Sequence, residues 1–308
     1  VNLQQLGYFL AVADTRHFTQ AAEQRNVAQP SLSKQIKTLE DELGAPLFSR
    51  ARGNITLTPA GEALLPLARR ILADVDTARL EVQELAGLRR GRVRLGATPS
   101  MCVSLVAEVL RRFHDRYPGI NLILQESGSG DLVRDLTRGE LDLALVIIPT
   151  QGTDQSLTTT PILREPLVVA SPAAAKPLTR WTHLKIEELA ARELVMFRPG
   201  YDLREATLAA CRRAGVEPRF AVEGGEMDAV LRFVETGLGL ALVPSLVLAG
   251  RPTLRGTPLA PPGIPRTVAL AHRRDVALTN AAAAFRDTLL GYVREADLPG
   301  GVEVLLAR

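Results

Sequence analysis

The sequence predicts an α/β protein with an all-α head at its N-terminus. Three observations predict it. Residues Phe18 to Leu43 read as two short amphipathic helices around a tight turn. From Pro59 to about Leu88, apolar residues recur in steps of four and three. From Val93 onward, short branched apolar runs alternate with helical stretches, the pattern of parallel βαβ units.

The chain has 308 residues, too many for one ordinary core, which implies two or three domains. Its apolar fraction of 46% and charged fraction of 23% are those of a water-soluble globular protein. The net charge is +3, and residues 1–92 are also close to balanced. Bulk charge gives no argument for nucleic acid; only a local face could. Cys102 and Cys211 offer neither metal spacing nor a disulfide framework, so reduced cytosolic thiols are expected. The apolar run Tyr8 to Ala13 is short, follows no basic leader and stops at Asp14, so no secretory signal is read there. No run approaches the ~18 apolar residues of a membrane span. The expected location is cytoplasmic, with no membrane partner.

Leu3, Leu6, Phe9, Leu10 and Ala13 predict a first helix over about Leu3 to Thr15. Phe18 and Thr19 read as a staple residue and an N-cap for a second helix through Arg25. Ala21 and Ala22 are small and let another helix come close. Asn26 and Val27 form the turn. A third helix starts near Gln29-Pro30, because a first-turn proline gives up no helical hydrogen bond. Its apolar stripe is Leu32, Ile36, Leu39 and Leu43. Opposite lie Pro30, Ser31, Lys34, Lys37 and Thr38, and Gly44 ends the helix. Leu47 to Arg50 and Ile55 to Leu57 read as two strands around Arg52-Gly53-Asn54, a small wing with Arg50 and Arg52 available to phosphates. Two readings fit: a winged helix-turn-helix with its third helix in a DNA major groove, or a plain three-helix bundle with a solvated polar face. The wing favours the first.

Thr58-Pro59 reads as an N-cap and first helical residue. Pro66 should bend the helix that follows. Leu64, Ala68, Ile71, Val75, Ala78, Val82 and Leu85 form a heptad seam on a rod of roughly 45 Å. Such a seam wants a partner helix or the protein's own domain; a dimeric coiled coil is favoured. Two paired heads imply a roughly palindromic double-stranded site. Leu88 to Gly91 is a short basic hinge.

The remaining two-thirds predicts strands at 93–97, 121–126, 141–148, 167–170, 194–197, 220–222, 240–243 and 267–271. Helices are predicted at 102–117, 131–138, 203–214, 226–235 and 279–293. The order fits two lobes, residues 92–162 plus 267–295 and residues 163–266. A ligand cleft belongs where strands hand over to helix N-termini, at Thr98-Pro99-Ser100 and Ser127 to Gly130. Free amides and hydroxyls there suit an anion. The candidate ligand residues are Thr98, Ser100, Met101, Ser129, Ile148, Phe197 and Arg198, with the Gly200-Tyr201 turn beside the last two. Ser100 and Ser129 read equally well as helix N-caps, and Phe197 as core.

Catalytic signatures are missing. Gly237 to Leu242 lacks the third glycine of a dinucleotide loop and follows a helix. There is no Walker sequence and no G-x-S-x-G elbow. His17, His114, His183 and His272 have no ligand spacing. No catalytic residue, metal or cofactor is expected. Cys102 near the cleft leaves room for a thiol sensor.

The order Phe9, Phe18, Ala21-Ala22, Gln29-Pro30-Ser31, Ser33, Ile36, Leu39-Glu40, Leu43-Gly44, Leu47-Phe48, Arg50, Leu57-Thr58 and Ala60-Gly61 resembles the N-terminal domain of LysR-type transcriptional regulators. Gly139 to Ala144 and Gly237 to Pro244 extend the resemblance into an effector part of two α/β lobes similar to periplasmic binding proteins. The domains are then 1–58, a winged helix-turn-helix; 59–91, a dimerising linker helix and hinge; and 92–308, an effector-binding domain. The resemblance implies that Gln29, Pro30, Ser31, Ser33 and Lys34 lie on or near DNA and that the wing arginines touch its backbone. The expected DNA-binding set is Thr19, Gln29, Pro30, Ser31, Ser33, Lys34, Lys37, Arg50 and Arg52. It also implies a small-molecule effector, here expected to be anionic, a homodimer that assembles to four subunits, and RNA polymerase as a further partner. Ala28 departs from the Ser or Thr that often caps the third helix, and Gly53 from a basic wing residue. A solute-binding protein would lack the helical head, and an enzyme would need a clustered acid, base or nucleophile.

Overall fold

The computed structural model describes residues 1–49, 55–84, 91–148 and 154–306. Arg50, Arg52, Leu85 and the hinge residues Leu88 to Arg90 lie outside the described residues. The chain falls into two compact units, one built on Val1–Gln83 and one on Glu84–Leu136 and Leu141–Arg308.

The first unit contains α1 (Leu3–Thr15), α2 (Phe18–Gln24), α3 (Gln29–Leu43), β1 (Phe48–Ser49), β2 (Thr56–Leu57) and α4 (Pro59–Glu84). Asn2 and Gln5 form a capping box at the start of α1. The cap of α2 differs from the sequence expectation. His17 takes that position, its Nδ1 accepting the Gln20 N–H at 3.4 Å, and Thr19 lies inside the helix, exposed. Imidazole nitrogen can do what a hydroxyl does there. Ala28 leaves α3 without a side-chain cap, and Gly44 closes it at φ 72°.

Leu32, Ile36 and Leu39 pack with Leu6, Phe9, Val12, Phe18 and Phe48 in one core. Each such buried side chain contributes about 1.5–3 kcal/mol. The fourth stripe residue, Leu43, is 43% exposed, because the last turn of α3 runs past the core. The antiparallel pair β1–β2 matches Phe48 with Leu57 and Ser49 with Thr56. That wing excludes the plain bundle. Glu40 of α3 fixes the entry to β1 by accepting the N–H groups of Leu47 at 2.7 Å and Phe48 at 3.3 Å. Thr58 caps α4, accepting the Gly61 N–H at 3.1 Å.

The expected seam on α4 is corrected in its first half. Ala68 is fully buried in the core of its own head, and Leu64 and Leu72 pack against the same cluster. Leu67, 55% exposed, points outward with Ile71, and further along Val82 is 70% exposed. The step-of-four count from Leu64 therefore tracked the inward face over its first two turns. The outward apolar line begins at Leu67.

The second unit runs β3 (Gly91–Ala97), α5 (Pro99–Met101), a π-helical turn (Cys102–Val106), α6 (Ala107–Arg116), β4 (Ile120–Glu126), α7 (Ser129–Thr137), β5 (Leu143–Ile148) and β6 (Leu157–Pro172). Then follow β7 (Glu193–Phe197), α8 (Asp202–Arg213), β8 (Arg219–Gly225), α9 (Met227–Glu235), β9 (Ala241–Pro244), β10 (Leu254–Pro258), β11 (Pro265–Arg273), α10 (Asn280–Glu295) and β12 (Glu303–Val304). Parallel β4–β3–β5 and antiparallel β11 form the first lobe's sheet. Its core joins Leu95, Met101, Phe113, Leu145 and Phe285. The strand β6 pairs with β11 along its first half and with β9 and β10 along its second, so it threads both lobes. The second lobe packs Val195, Phe197, Tyr201, Met227, Leu231 and Val243.

Four expectations are corrected here. The strand predicted at 167–170 is the far part of a 16-residue strand. The strands β10 and β12 were missed. The helix predicted from Cys102 to Tyr117 begins earlier, at Pro99, and its stretch Cys102–Val106 is π-helical. The first lobe reaches beyond residue 295, since Leu298, Val302 and Leu306 pack against its core.

Candidate nucleic-acid interface and effector cleft

The polar side of α3 is open. Gln29, Pro30, Ser31, Lys34, Lys37 and Thr38 are exposed and Ser33 is half-buried. The Gln29 side-chain amide donates to the Ser33 hydroxyl at 2.8 Å, which pre-orders both at the first turn. The two lysines differ. Lys37 is paired with Asp41 at 2.8 Å, and that carboxylate raises the pKa of the ammonium. Lys34 has no ion pair among the described residues, so its charge is free for a phosphate. Thr19 is exposed on α2.

The handover after β3 is closed. Thr98, Ser100 and Met101 are buried. The Ser100 N–H donates to the Tyr201 hydroxyl at 3.2 Å. The Ser100 hydroxyl lies 3.0 Å from Arg266 Nη2, which donates to it, and 3.3 Å from the Thr98 hydroxyl. Arg266 and Glu165 face each other on β11 and β6. The guanidinium donates to Glu165 from Nε at 3.0 Å and Nη2 at 2.7 Å, and the other carboxylate oxygen accepts the Leu246 N–H at 3.1 Å. Burial pushes the Tyr201 phenol well above its ordinary pKa, so the hydroxyl stays neutral.

Neither serine is a helix cap. The Ser129 hydroxyl accepts the Ile147 N–H at 2.9 Å and donates to Asp202 of α8 at 2.6 Å. Met101 and Phe197 are core residues, with Phe197 packed on Tyr201 at 5.0 Å between ring centres. Arg198 is held by Glu226. Of the predicted ligand residues, Ser129 and Ile148 border open space. They line a cavity of about 480 Å³ together with Gly130, Val133, Val146, Ile147, Asp154, Leu157, Thr159, Asp202 and Glu205. The carboxylates escaped the sequence reading because Asp202 and Glu205 look like ordinary first-turn acids of a helix. Glu165 and Arg266 had no local signal either; the Gly200-Tyr201 turn was placed at the cleft, without the Tyr201 bond to Ser100.

Cys102 is partly buried, and burial with the nearby Glu126 carboxylate pushes its thiol up to about 12. Among the described residues no three His, Cys, Asp or Glu side chains come together as metal ligands, and no helix is long and apolar enough to cross a membrane.

A winged helix-turn-helix head followed by a two-lobed α/β domain is the architecture of a transcriptional regulator with its own effector domain. Residues 3–62 match the bacterial regulatory helix-turn-helix protein, lysR family, and residues 86–294 match the LysR substrate binding domain. The chain belongs to the LysR family of transcriptional regulators. It is similar to the HTH-type transcriptional regulator BudR of Raoultella terrigena, 34% identical over 278 residues, covering 89% of this chain and 95% of that one. It is 30% identical over 296 residues to the transcriptional dual regulator GltC of Bacillus subtilis (strain 168), covering 95% and 97%. Among solved structures, a full-length single-residue variant of OxyR from Pseudomonas aeruginosa has a TM-score of 0.71 at 26% identity, covering 98% of each chain. Full-length CbnR complexed with its target DNA shares the fold, with a TM-score of 0.67 at 24% identity over 94% of this chain and 99% of that one.

Proposed function

We propose that the protein reads promoter DNA as a dimer and answers to a small molecule held between its two α/β lobes. The observation that carries the first half is the open polar face of α3 over the buried Leu32, Ile36 and Leu39. Gln29, Ser31 and Ser33 touch base edges; Thr19, Pro30, Lys34, Lys37, Arg50 and Arg52 serve the backbone. The dimer forms along α4 through Leu67, Ile71, Val75, Ala78 and Val82, with Leu85 continuing the line in sequence. CbnR, which shares the fold, is in complex with its target DNA, and this supports the same use of the present head. A four-subunit assembly and contact with RNA polymerase follow from family membership.

The effector cleft uses Ser129 and Ile148 from the first lobe and the start of α8 from the second. An anionic effector was expected from free amides and hydroxyls both after β3 and at Ser127 to Gly130, where Ser129 and Gly130 still line the cavity. The Ser100 N–H is already used by Tyr201, so a carboxylate would first have to displace that phenol. Effector binding changes how firmly the lobes are joined, and differential affinity for the two arrangements shifts the spacing of the heads.

Footprinting on the DNA upstream of the protein's own gene tests the reading. Two protected half-sites in inverted repeat, about one or more helical turns apart, are expected. Absence of any protection, or one unpaired half-site, contradicts it.

A further inference from the structure

We infer that the effector is a cationic small molecule, an amine with an apolar body, held by the carboxylates of Asp154, Asp202 and Glu205 in the cavity between the lobes. This rests on the reading that the effector binds in that cleft, and it names the chemical class.

The charge of the cavity is one-sided. Asp154, Asp202 and Glu205 line it, and no lysine or arginine among the described residues does. The adjoining stretch 149–153 reads PTQGT and carries no charge either. Among the described residues none of these carboxylates has an ion pair; Asp202 and Glu205 have only the partial positive charge of the first-turn amides of α8. Two buried or half-buried acids of the same unit are by contrast paired with arginine, Asp142 with Arg94 and Glu165 with Arg266. Asp202 has instead the Ser129 hydroxyl, and Asp154 the N–H and hydroxyl of Ser156. Those Ser156 donors hold the Asp154 carboxyl below its ordinary range, so it is ionised at neutral pH. Carboxylates without cations around a concave space present the complement of a positive ligand.

A second, separate feature points the same way. The donors after β3 that an anion could use are consumed internally. The Ser100 N–H goes to Tyr201, and the one guanidinium there, Arg266, is neutralised by Glu165. The open part of the cleft thus carries three carboxylates beside the first turn of α7 at Ser129 and Gly130, while the donors after β3 are filled.

The other walls set the body of the ligand. Val133, Ile147 and Leu157 are apolar and face the same space. At about 480 Å³ the cavity lies within the usual range for small-molecule sites. Three converging metal ligands are not formed among the described residues, which favours an organic cation over a metal ion. Asp202 belongs to the second lobe and Asp154 to the entrance of β6 in the first. An ammonium reaching both would tie the lobes together in addition to the Ser129–Asp202 and Ser100–Tyr201 bonds.

Calorimetric titration of the full chain tests the inference. The probes are cadaverine and phenethylamine, with pimelate and phenylpropionate as carboxylates of matching shape. At least one amine is expected to bind about tenfold or more tighter than its matching carboxylate. Asp202→Asn should weaken that amine about tenfold, and Glu205→Gln, on an exposed side chain that tolerates the change, should weaken it severalfold. Tighter binding of the carboxylates, no binding by either amine, or unchanged amine affinity in both variants overturns the inference. Footprinting with the same samples separates the two readings. Intact DNA protection with failed amine binding removes only the ligand class, whereas lost DNA protection removes the regulator reading whatever the amines do.

Discussion

The Tyr201 hydroxyl accepts the Ser100 N–H at 3.2 Å and so joins the start of α8 to the turn after β3. Both residues are buried and lie in different lobes. The bond fills the place where a backbone amide would otherwise face the cleft. Tyr201→Phe keeps the ring against Phe197 and removes the acceptor. A buried N–H left unpaired costs about 1–3 kcal/mol. Urea denaturation followed by circular dichroism should show the effector-domain transition at lower denaturant by that amount. An unchanged midpoint would mean that the amide finds another partner.

The pair Glu165–Arg266 lies where β6 passes from one lobe to the other, with the carboxylate fully buried and the guanidinium nearly so. Removing one partner strands the other charge. Glu165→Ala is expected to destabilise the effector domain by about 3–5 kcal/mol, and Glu165→Leu combined with Arg266→Met to recover much of that. The double-mutant cycle in urea checks it. Additive losses would show that the two charges are not coupled.

Gly61 is the residue most tightly constrained by its surroundings in the head. A Cβ there would stand 2.2 Å from the Leu47 carbonyl oxygen. That oxygen also accepts the Thr58 N–H at 3.0 Å, so it cannot retreat without loosening the base of the wing. Gly61→Ala should lower the thermal midpoint of the head by several degrees, at about 1–3 kcal/mol of strain. Differential scanning calorimetry reads it; an unshifted transition contradicts the packing.

Cys102 should behave as an inert thiol at neutral pH. Its pKa is pushed up to about 12 by burial and Glu126, from an ordinary value near 9. The folded thiol therefore stays protonated while the unfolded one ionises. This contribution to stability is complete below about pH 9 and is lost as pH rises through the folded value. Iodoacetamide should label native Cys102 far more slowly than an ordinary thiol at pH 7, and the rate should keep climbing about tenfold per pH unit past pH 9 without levelling off. Rapid labelling at pH 7 would revive a thiol sensor.

The head was legible in detail. The predicted α3 began at Gln29 and ended before Gly44, because proline at its start and glycine at its end bracket one apolar stripe. The lobes were legible as alternating strands and helices. The length of β6 was not: the expected strand covered only Leu167 to Ala170, and the prolines at 161, 166 and 172 cannot donate to a strand ladder. Its partners β11, β9 and β10 override those signals by pairing on both sides. The seam on α4 was misplaced for another reason. Leu64 and Leu67 are both leucines, and spacing alone does not say which faces the head.

The charge of the cleft was the least legible feature. Thr98 and Ser100 looked like donors for an anion, yet Tyr201, a hundred residues away in sequence, takes the amide. Asp154, Asp202 and Glu205 come from a loop and a helix that only the fold brings to one cavity.

The use of α3 and the wing on DNA is measured most directly by fluorescence anisotropy with the upstream promoter fragment across a range of salt. Lys34→Ala combined with Arg50→Ala should weaken binding and flatten the dependence of log affinity on log salt by about two units, one per lost phosphate contact. Equal affinity and an equal slope for wild type and variant would contradict a DNA-facing α3 and wing.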